Sequence, residues 1–169
     1  MSTVALVEIR EARPDEYEAV AALTVAAYRA LPGAHLSGGY ESRLRDVAAR
    51  AAGAAVYVAV EGASILGAVT YVPGPQSPWA ELLEEGEAGV RMLAVPPAAQ
   101  RRGIGTALVR ACIEQARREG RQRLCLHTTP WMTAARRIYE GLGFHRDPGR
   151  DWVPVPGVEL LGFVLDLKS

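Results

Sequence analysis

The most informative stretch of this sequence is Gln100-Arg101-Arg102-Gly103-Ile104-Gly105-Thr106. It follows an apolar segment ending at Val95, and an amphipathic segment follows it, so we expect a strand, a polar turn and a helix from about Gly103. The first turn of a helix carries unpaired N–H groups and a partial positive charge. Glycines at 103 and 105 let this backbone approach a bulky anion, while the arginines and Thr106 add charge and a hydroxyl. The pattern predicts a diphosphate site.

The residues alone leave a second interpretation open, a glycine-softened turn with two solvated arginines. Two better-known phosphate motifs do not match. The stretch lacks the Gly-Lys-Ser/Thr of a Walker loop, and Leu108 stands where the dinucleotide fingerprint has its third glycine. A nucleotide-binding module is therefore disfavoured.

Composition and charge restrict the class of protein. The chain has 169 residues, 49% of them hydrophobic, which fits a single domain over residues 1–169. Nineteen basic residues balance nineteen acidic ones, so no overall field favours nucleic acid or an anionic membrane. No apolar stretch approaches the ~20 residues of a membrane-spanning helix. Cys112 and Cys125 lie in apolar segments and no Cys–His cluster offers a ligand set, so we expect a cytoplasmic protein without a metal.

Strand and helix patterns extend over the whole sequence. Short β-branched runs predict strands, and apolar residues at helical spacing predict helices. The predicted strands are 4–9, 56–60, 65–72, 90–95, 124–127, a strand from Phe144 and 158–167, and the predicted helices are 14–31, 40–52, 103–119 and 135–142. Strands that first form hairpins and then alternate with helices predict a mixed α/β sheet of about seven strands, with helices on both faces. The acidic, proline-rich loop 73–86 is long enough to be a functional flap.

Three linked motifs resemble one known family. Gln100 to Gly105 is similar to the Gln/Arg-x-x-Gly-x-Gly/Ala signature of the GNAT superfamily of acyl-CoA N-acyltransferases. Upstream, Arg91-Met92-Leu93-Ala94-Val95-Pro96 resembles the strand that precedes this signature. Downstream, Ala135-Arg136-Arg137-Ile138-Tyr139-Glu140-Gly141-Leu142-Gly143-Phe144 resembles the family's second helix motif. The resemblance implies a single-domain GNAT fold and transfer of an acetyl group from acetyl-CoA to a primary amine.

The resemblance also implies where acetyl-CoA binds. In this family two parallel strands splay apart and hold the pantetheine arm, and here they correspond to the strand ending at Val95 and the strand 124–127. Cofactor-binding residues would be the main chain of Leu93, Ala94 and Val95 and the loop residues Gln100, Arg101, Arg102, Gly103, Ile104, Gly105 and Thr106. Met132 departs from the pattern, because relatives often have Asn there.

Catalysis by direct attack requires a group that takes a proton from the amine and one that protonates the thiolate. Tyr139 matches the family's usual proton donor, although its spacing is also that of a core aromatic. Gly89 replaces a carboxylate that many relatives carry, so Glu87, two residues earlier, is the candidate base, with a solvated strand-end Glu as the alternative. His127 is a further candidate, because its ordinary pKa suits a base. The missing carboxylate also allows a non-catalytic acyl-CoA sensor.

The acceptor pocket is expected from the positions of certain segments in the family fold. It is a mainly aromatic set that suits a small-molecule or peptide amine, and dimers are common in the superfamily, so a homodimer is allowed. The expected acceptor residues are Tyr28, His35, Tyr40, Trp79, His127 and Trp152, with Asp151 in the same loop as Trp152.

Overall fold

The computed structural model describes residues 6–31 and 39–167 and places their strands in one mixed sheet. The strand order is β1-β2-β3-β4-β5-β8-β6, and β7 pairs with β8 beside this path. The strands are β1 (Glu8–Glu11), β2 (Ala55–Glu61), β3 (Ser64–Val72), β4 (Glu87–Ala94), β5 (Arg123–Thr128), β6 (His145–Arg146), β7 (Trp152–Val155) and β8 (Val158–Asp166). The predicted mixed α/β sheet is confirmed.

The eight strands exceed the expected number by one, because β7 lies in a segment that reads as a loop. Pro154 and Pro156 suggested that reading, but proline is tolerated where a strand has no second neighbour. At the other end of the chain, β1 begins at Glu8, and residues 4 and 5 of the predicted first strand lie outside the described ranges.

Within the described residues, five α-helices cover the sheet: α1 (Tyr17–Arg29), α2 (Tyr40–Arg45), α3 (Val47–Gly53), α4 (Ile104–Arg118) and α5 (Thr133–Gly141). The single helix expected over 40–52 is wrong, because Asp46 leaves the helical conformation at φ −83° and ψ 68°. Its carboxylate accepts a hydrogen bond of 3.2 Å from the amide of Ala49 and so caps α3. A capping aspartate in an otherwise helical pattern therefore divides the segment.

Helices lie on both faces of the sheet, as expected. On one face, α4 and α5 pack through Ile104, Leu108 and Tyr139 onto a core that includes Tyr57 and Ala59 of β2. The intervening residues of β2 point to the opposite face, where Val20 and Val47 of α1 and α3 meet Val56, Val58 and Val60. Alternate side chains of β2 therefore belong to two hydrophobic cores, one on each face of the sheet. No helix in the described ranges has the length and apolar character needed to cross a membrane.

The parallel pair β4 and β5 separates part of the way along its length. Its register runs from Glu87 opposite Arg123 to Val90 opposite Leu126 and then ends. On its other side β4 pairs with β3, and the register shifts by one residue between the pairs Thr70–Arg91 and Ala68–Ala94. Met92 has φ 55° in this interval, which marks a β-bulge. The extra residue bends β4 away from β5 and opens a gap beyond Val90.

Glu87 anchors the end of the pair that stays joined, and the geometry argues against it as the general base. Its side chain is fully buried. It accepts bonds from Arg123 Nε at 2.7 Å and from both terminal nitrogens of Arg150 at 3.0 and 2.5 Å. Burial alone would raise the pKa of Glu87, but the two arginines outweigh it and lower the pKa from 4.5 to about 2. A carboxylate held this firmly in its ionised form neither takes a proton at neutral pH nor matches the solvated alternative.

This ion pair makes stability depend on pH. Because the pKa of Glu87 is lower in the folded chain, its contribution is present at neutral pH and is lost as pH falls from about 5 towards 2. Glu87→Gln should lower the free energy of unfolding by ~2–3 kcal/mol at pH 7, since it leaves two partly buried arginine charges unpaired. Urea unfolding from pH 7 to 2.5 should show the difference from wild type shrinking in acid. Glu85→Gln, in the exposed part of the preceding loop, is the control; a difference independent of pH would refute this account.

Candidate active site

The turn before α4 has the geometry expected of an anion loop. Gly103 is the N-cap of α4 with φ 74° and ψ 14°, and no side chain caps the helix. A Cβ on Gly103 would meet nothing within 4 Å, so the left-handed conformation rather than crowding requires glycine there. The helix begins with the bond from Ala107 N to Gly103 O, of 3.0 Å. The amides of the first turn therefore point out of an uncapped helix start, where an anion is stabilised.

Gly105 also lies close to α5. A Cβ at this position would lie 2.6 Å from Cδ1 of Ile138 on α5. The missing side chain thus lets α4 and α5 pack closely at the end of the gap. The sequence places Gly105 beside a predicted anion, but the neighbour that excludes a side chain is the second helix.

The polar residues of the loop tie it to its surroundings. Gln100 Nε2 donates a bond of 3.0 Å to the carbonyl of Val95, which closes the turn after β4. Arg102 forms an ion pair with Glu61 at the end of β2, and Arg101 adopts φ 67°. Gln100 therefore fixes the distance between the end of β4 and the start of α4.

A pocket lies where β4 and β5 separate. It is formed by both strands and by the loop before β4, and its lining residues are Val72, Glu81, Leu83, Gly89, Val90, Arg91, Cys125, Leu126 and His127. Gly89, the position without the family's usual carboxylate, shares this pocket with the carboxylate of Glu81. The loop thus supplies an acid that the strand lacks.

Glu81 and His127 form a close pair in this pocket. Glu81 Oε1 lies 3.3 Å from His127 Nδ1, and Glu81 Oε2 lies 3.5 Å from Arg91 Nη2. Burial opposes ionisation of Glu81, but the close contact with His127 and the charge of Arg91 outweigh it and hold the pKa of Glu81 below its ordinary value. His127 is almost wholly buried, and its Nε2 lies 2.8 Å from the carbonyl oxygen of Arg150. The pair is a carboxylate–imidazole unit at the mouth of the gap.

Nothing in the sequence singles out Glu81. It stands in an acidic loop with Glu84 and Glu85, and no periodicity or motif separates it from them. Its neighbour Leu82 has φ 55°, an unfavourable conformation for leucine, and such strain is concentrated at functional sites. Only the folded chain brings this loop against β5.

Tyr139 lies on α5. It is buried, and its ring lies 5.8 Å from that of Phe144, so it does pack in the core on the side of α4. Burial raises the pKa of Tyr139, which keeps the phenol protonated at neutral pH.

The remaining expected acceptor residues divide into two groups. Tyr28 and Tyr40 lie together, with ring centroids 6.1 Å apart, and Trp152 lies 6.5 Å from the ring of His127. Trp79 is instead a packing residue, because it is buried and its Nε1 donates to the carbonyl of Ala49 at 3.2 Å.

Three further positions complete the comparison with the sequence. His35 lies outside the described residues. Met132 accepts a bond of 3.4 Å from Thr128 Oγ1 through its sulfur. Asp151 forms an ion pair with Arg146 at 2.6 Å, so it stabilises the loop before β7.

Within the part of the chain that the structure describes, no group of three or more His, Cys, Asp or Glu residues could hold a metal ion.

Comparisons with known proteins identify the fold and the family. Candidate acetyltransferase yncA from Salmonella typhimurium, solved with its cofactor acetyl-CoA, superposes with TM-score 0.71 at 22% identity, covering 96% of this chain and 95% of that one. The ribosomal-protein-S18-alanine N-acetyltransferase of Escherichia coli gives TM-score 0.70 at 18% identity, with 97% and 96% covered. A ribosomal-protein-alanine N-acetyltransferase of Brucella melitensis gives TM-score 0.70 at 22% identity, with 95% and 99% covered.

At these identities the structural likeness shows the fold alone. No curated protein matches this sequence. The model of the acetyltransferase (GNAT) family, however, matches residues 11–144, most of the chain. The chain therefore belongs to the GNAT family of acetyltransferases, whose acyl donor is acetyl-CoA.

Proposed function

We propose that the protein is an N-acetyltransferase that moves an acetyl group from acetyl-CoA to a primary amine of a small molecule or a peptide by direct attack. The observation that carries this proposal is the Glu81–His127 pair at the point where β4 and β5 separate. A carboxylate–imidazole pair in a strand gap is suited to accept the proton that an attacking amine must lose. Two free, buried cysteines fit a reducing compartment, and a cytoplasmic location is part of the proposal.

The residues around the gap fit acetyl-CoA. Beyond Val90, the edge of β4 that faces β5 has no strand partner, so main-chain groups of Leu93, Ala94 and Val95 are available for pantetheine amides. The uncapped start of α4, from Arg101 to Thr106, suits the diphosphate. Bound there, acetyl-CoA would supply a thioester carbonyl open to attack by nitrogen.

The proton balance assigns a role to each side of the gap. A bond forms between the amine nitrogen and the carbonyl carbon, the carbon–sulfur bond breaks, and the electron pair leaves with sulfur. The imidazole of His127 takes the proton that the nitrogen loses, the ionised Glu81 stabilises the imidazolium that forms, and Tyr139 gives its phenolic proton to the thiolate. Burial raises the pKa of Tyr139, so the phenol is in its protonated form when the thiolate leaves.

The acceptor would enter from the face that carries α1 and α2. Tyr28 and Tyr40 belong to α1 and α2, Trp152 lies beside His127, and the negative charge of Glu81 attracts an ammonium group. Trp79 contributes through packing, and the Arg43 guanidinium lies 5.3 Å from the centre of its ring.

The alternative is a non-catalytic acyl-CoA sensor, which the sequence allows because Gly89 replaces the family's usual carboxylate. Glu81 weakens that argument, because it places a carboxylate in the pocket that Gly89 lines. A screen of amines with detection of the released thiol separates the two functions, since a sensor binds acetyl-CoA and releases no thiol with any acceptor.

Gly103→Asp tests the donor site. The variant places bulk and negative charge at the helix start, so we expect the Kd for acetyl-CoA to rise at least ~100-fold, which corresponds to ~2.7 kcal/mol. Gly120→Asp is a matched control, because Gly120 lies just beyond the opposite end of α4 with φ 71° and no atom near its Cβ position. Isothermal titration with each variant measures the difference. Equal weakening by both would show that strain, not the diphosphate, explains the loss.

Glu81→Gln tests the carboxylate–imidazole unit. Removing the carboxylate should lower kcat/KM for the best amine by ~100-fold and leave acetyl-CoA affinity unchanged. Glu85→Gln changes the same residue type four positions along the loop, at an exposed site, and should behave as wild type. Activity of Glu81→Gln equal to that of this control would exclude Glu81 from the reaction.

Tyr139→Phe tests the acid. Phenylalanine preserves the contact with the ring of Phe144, so folding and acetyl-CoA affinity should change little. Turnover should fall ~100-fold because the thiolate loses its proton donor. Steady-state kinetics and thermal unfolding of the same preparation distinguish the two effects; unchanged kcat would make Tyr139 a packing residue only.

A further inference from the structure

Arg150 connects a buried charge to the imidazole of His127. It ends the short 3-10 turn Pro148–Arg150 that precedes β7. Its guanidinium donates to both oxygens of Glu87, at 3.0 and 2.5 Å. Its carbonyl oxygen lies 2.8 Å from Nε2 of His127. One residue therefore contacts the anchor of the joined strand ends and the imidazole at the gap.

The carbonyl restricts which nitrogen of His127 carries hydrogen. Both the carbonyl oxygen and the Glu81 carboxylate can only accept, but the contact at Nε2 is the shorter one, 2.8 Å against 3.3 Å at Nδ1, so the geometry favours the hydrogen on Nε2 in the neutral imidazole. In the neutral imidazole Nδ1 then has a lone pair, which faces Glu81 Oε1 at 3.3 Å. Two acceptors at that distance favour a proton between them. This arrangement gives His127 and Glu81 one shared site for the proton of the amine.

We infer that the Glu87–Arg150 ion pair is a positioning device for His127: it holds the carbonyl of Arg150 against Nε2 and so fixes the tautomer in which Nδ1 faces Glu81. The kinetic consequence of this inference rests on the proposed function, whereas the tautomer itself does not. Glu87, which is unsuited to be the base, thereby acquires a positioning role through Arg150.

The turn that carries Arg150 is docked tightly on β8. A Cβ on Gly162 would lie 2.6 Å from Cβ of Arg150 and 2.9 Å from the carbonyl of Asp147, so only glycine permits this approach. The amide of Asp147 donates to Gly162 O at 2.9 Å, and Gly162 is the ladder partner of His127. The same point of β8 thus sets the positions of the turn and of the histidine.

Charged groups face His127 from three elements. Glu81 lies on the loop before β4, and Arg91 lies on β4 and pairs with Glu81. Asp151 follows Arg150, and the hydrogen bond from Arg146 is the main reason that the pKa of Asp151 is low, with His127 a minor contributor. Cys125, on the same strand as His127, is a neutral thiol because burial raises its pKa to about 12.

Arg123 provides a matched control, because it binds the same carboxylate without belonging to the turn. Its Nε lies 2.7 Å from Glu87, and Arg123 stands on β5 at the joined end of the strand pair. Replacing Arg123 removes charge from Glu87 but leaves the Arg150 carbonyl in place. Replacing Arg150 removes the link between Glu87 and the turn.

The test is the imidazole nitrogen NMR spectrum of the whole protein at alkaline pH. The chain has three histidines, and His127→Gln identifies the signals of His127. Wild type and Arg123→Gln should both show hydrogen on Nε2 of His127. Arg150→Gln should show a mixture of tautomers with ~10-fold lower kcat/KM, because misplaced groups lose catalytic efficiency, and Arg150→Lys, which keeps the charge, should restore the single tautomer.

Two results would overturn the inference: hydrogen on Nδ1 of His127 in the wild type, or an unchanged single tautomer in folded Arg150→Gln. If Arg150→Gln does not fold, the wild-type spectrum together with Arg150→Lys decides, since loss of the single tautomer despite the retained charge contradicts the role assigned to the ion pair. Absence of amine acetylation with the expected tautomer would remove the proposed function and leave the positioning of His127 intact.

Discussion

One extra residue in β4 shapes the site, because it ends the parallel ladder with β5 after Val90. A strand that bulges against β3 cannot stay in register with β5, so the two strands share hydrogen bonds at one end and separate at the other. The separation leaves main-chain groups of β4 unpaired next to the start of α4. The sheet itself therefore creates a slot, bounded by α4 and α5 on one face and by α1 and α2 on the other.

Charge is distributed unevenly along this strand pair. The joined end holds Glu87 between two arginines. Desolvation of these charges costs free energy on folding, and removal of one partner costs more because it leaves the other charge unpaired. The open end holds Glu81 beside His127, with Arg91 as a more distant cation. Both ends thus contain an ionised glutamate, but only the one at the open end lies in the pocket. Arg150 spans the two, so the rigid end of the pair and the candidate catalytic end are connected by a single residue.

Sequence patterns predicted those features that depend on neighbours along the chain. Gly103, the helix after it and the strand before it follow from local propensity and spacing, and the motif around Tyr139 extends that prediction to the second helix. Glu87 was misassigned, because periodicity says which face a side chain occupies and not which groups it meets there. Its partners, Arg123 and Arg150, are 36 and 63 residues away. Glu81 was not predicted for the same reason, because only the folded chain places this one glutamate of the acidic loop against His127.

The central claim is that acetyl-CoA binds in the gap that the bulge opens. Amide hydrogen exchange followed by NMR, with and without saturating acetyl-CoA, tests it most directly. The account predicts slower exchange at Leu93 to Val95 and at Gly103 to Thr106, with the amides of β1 and β2 unaffected. Unchanged exchange at both segments, or protection concentrated on the β7–β8 hairpin instead, would contradict it.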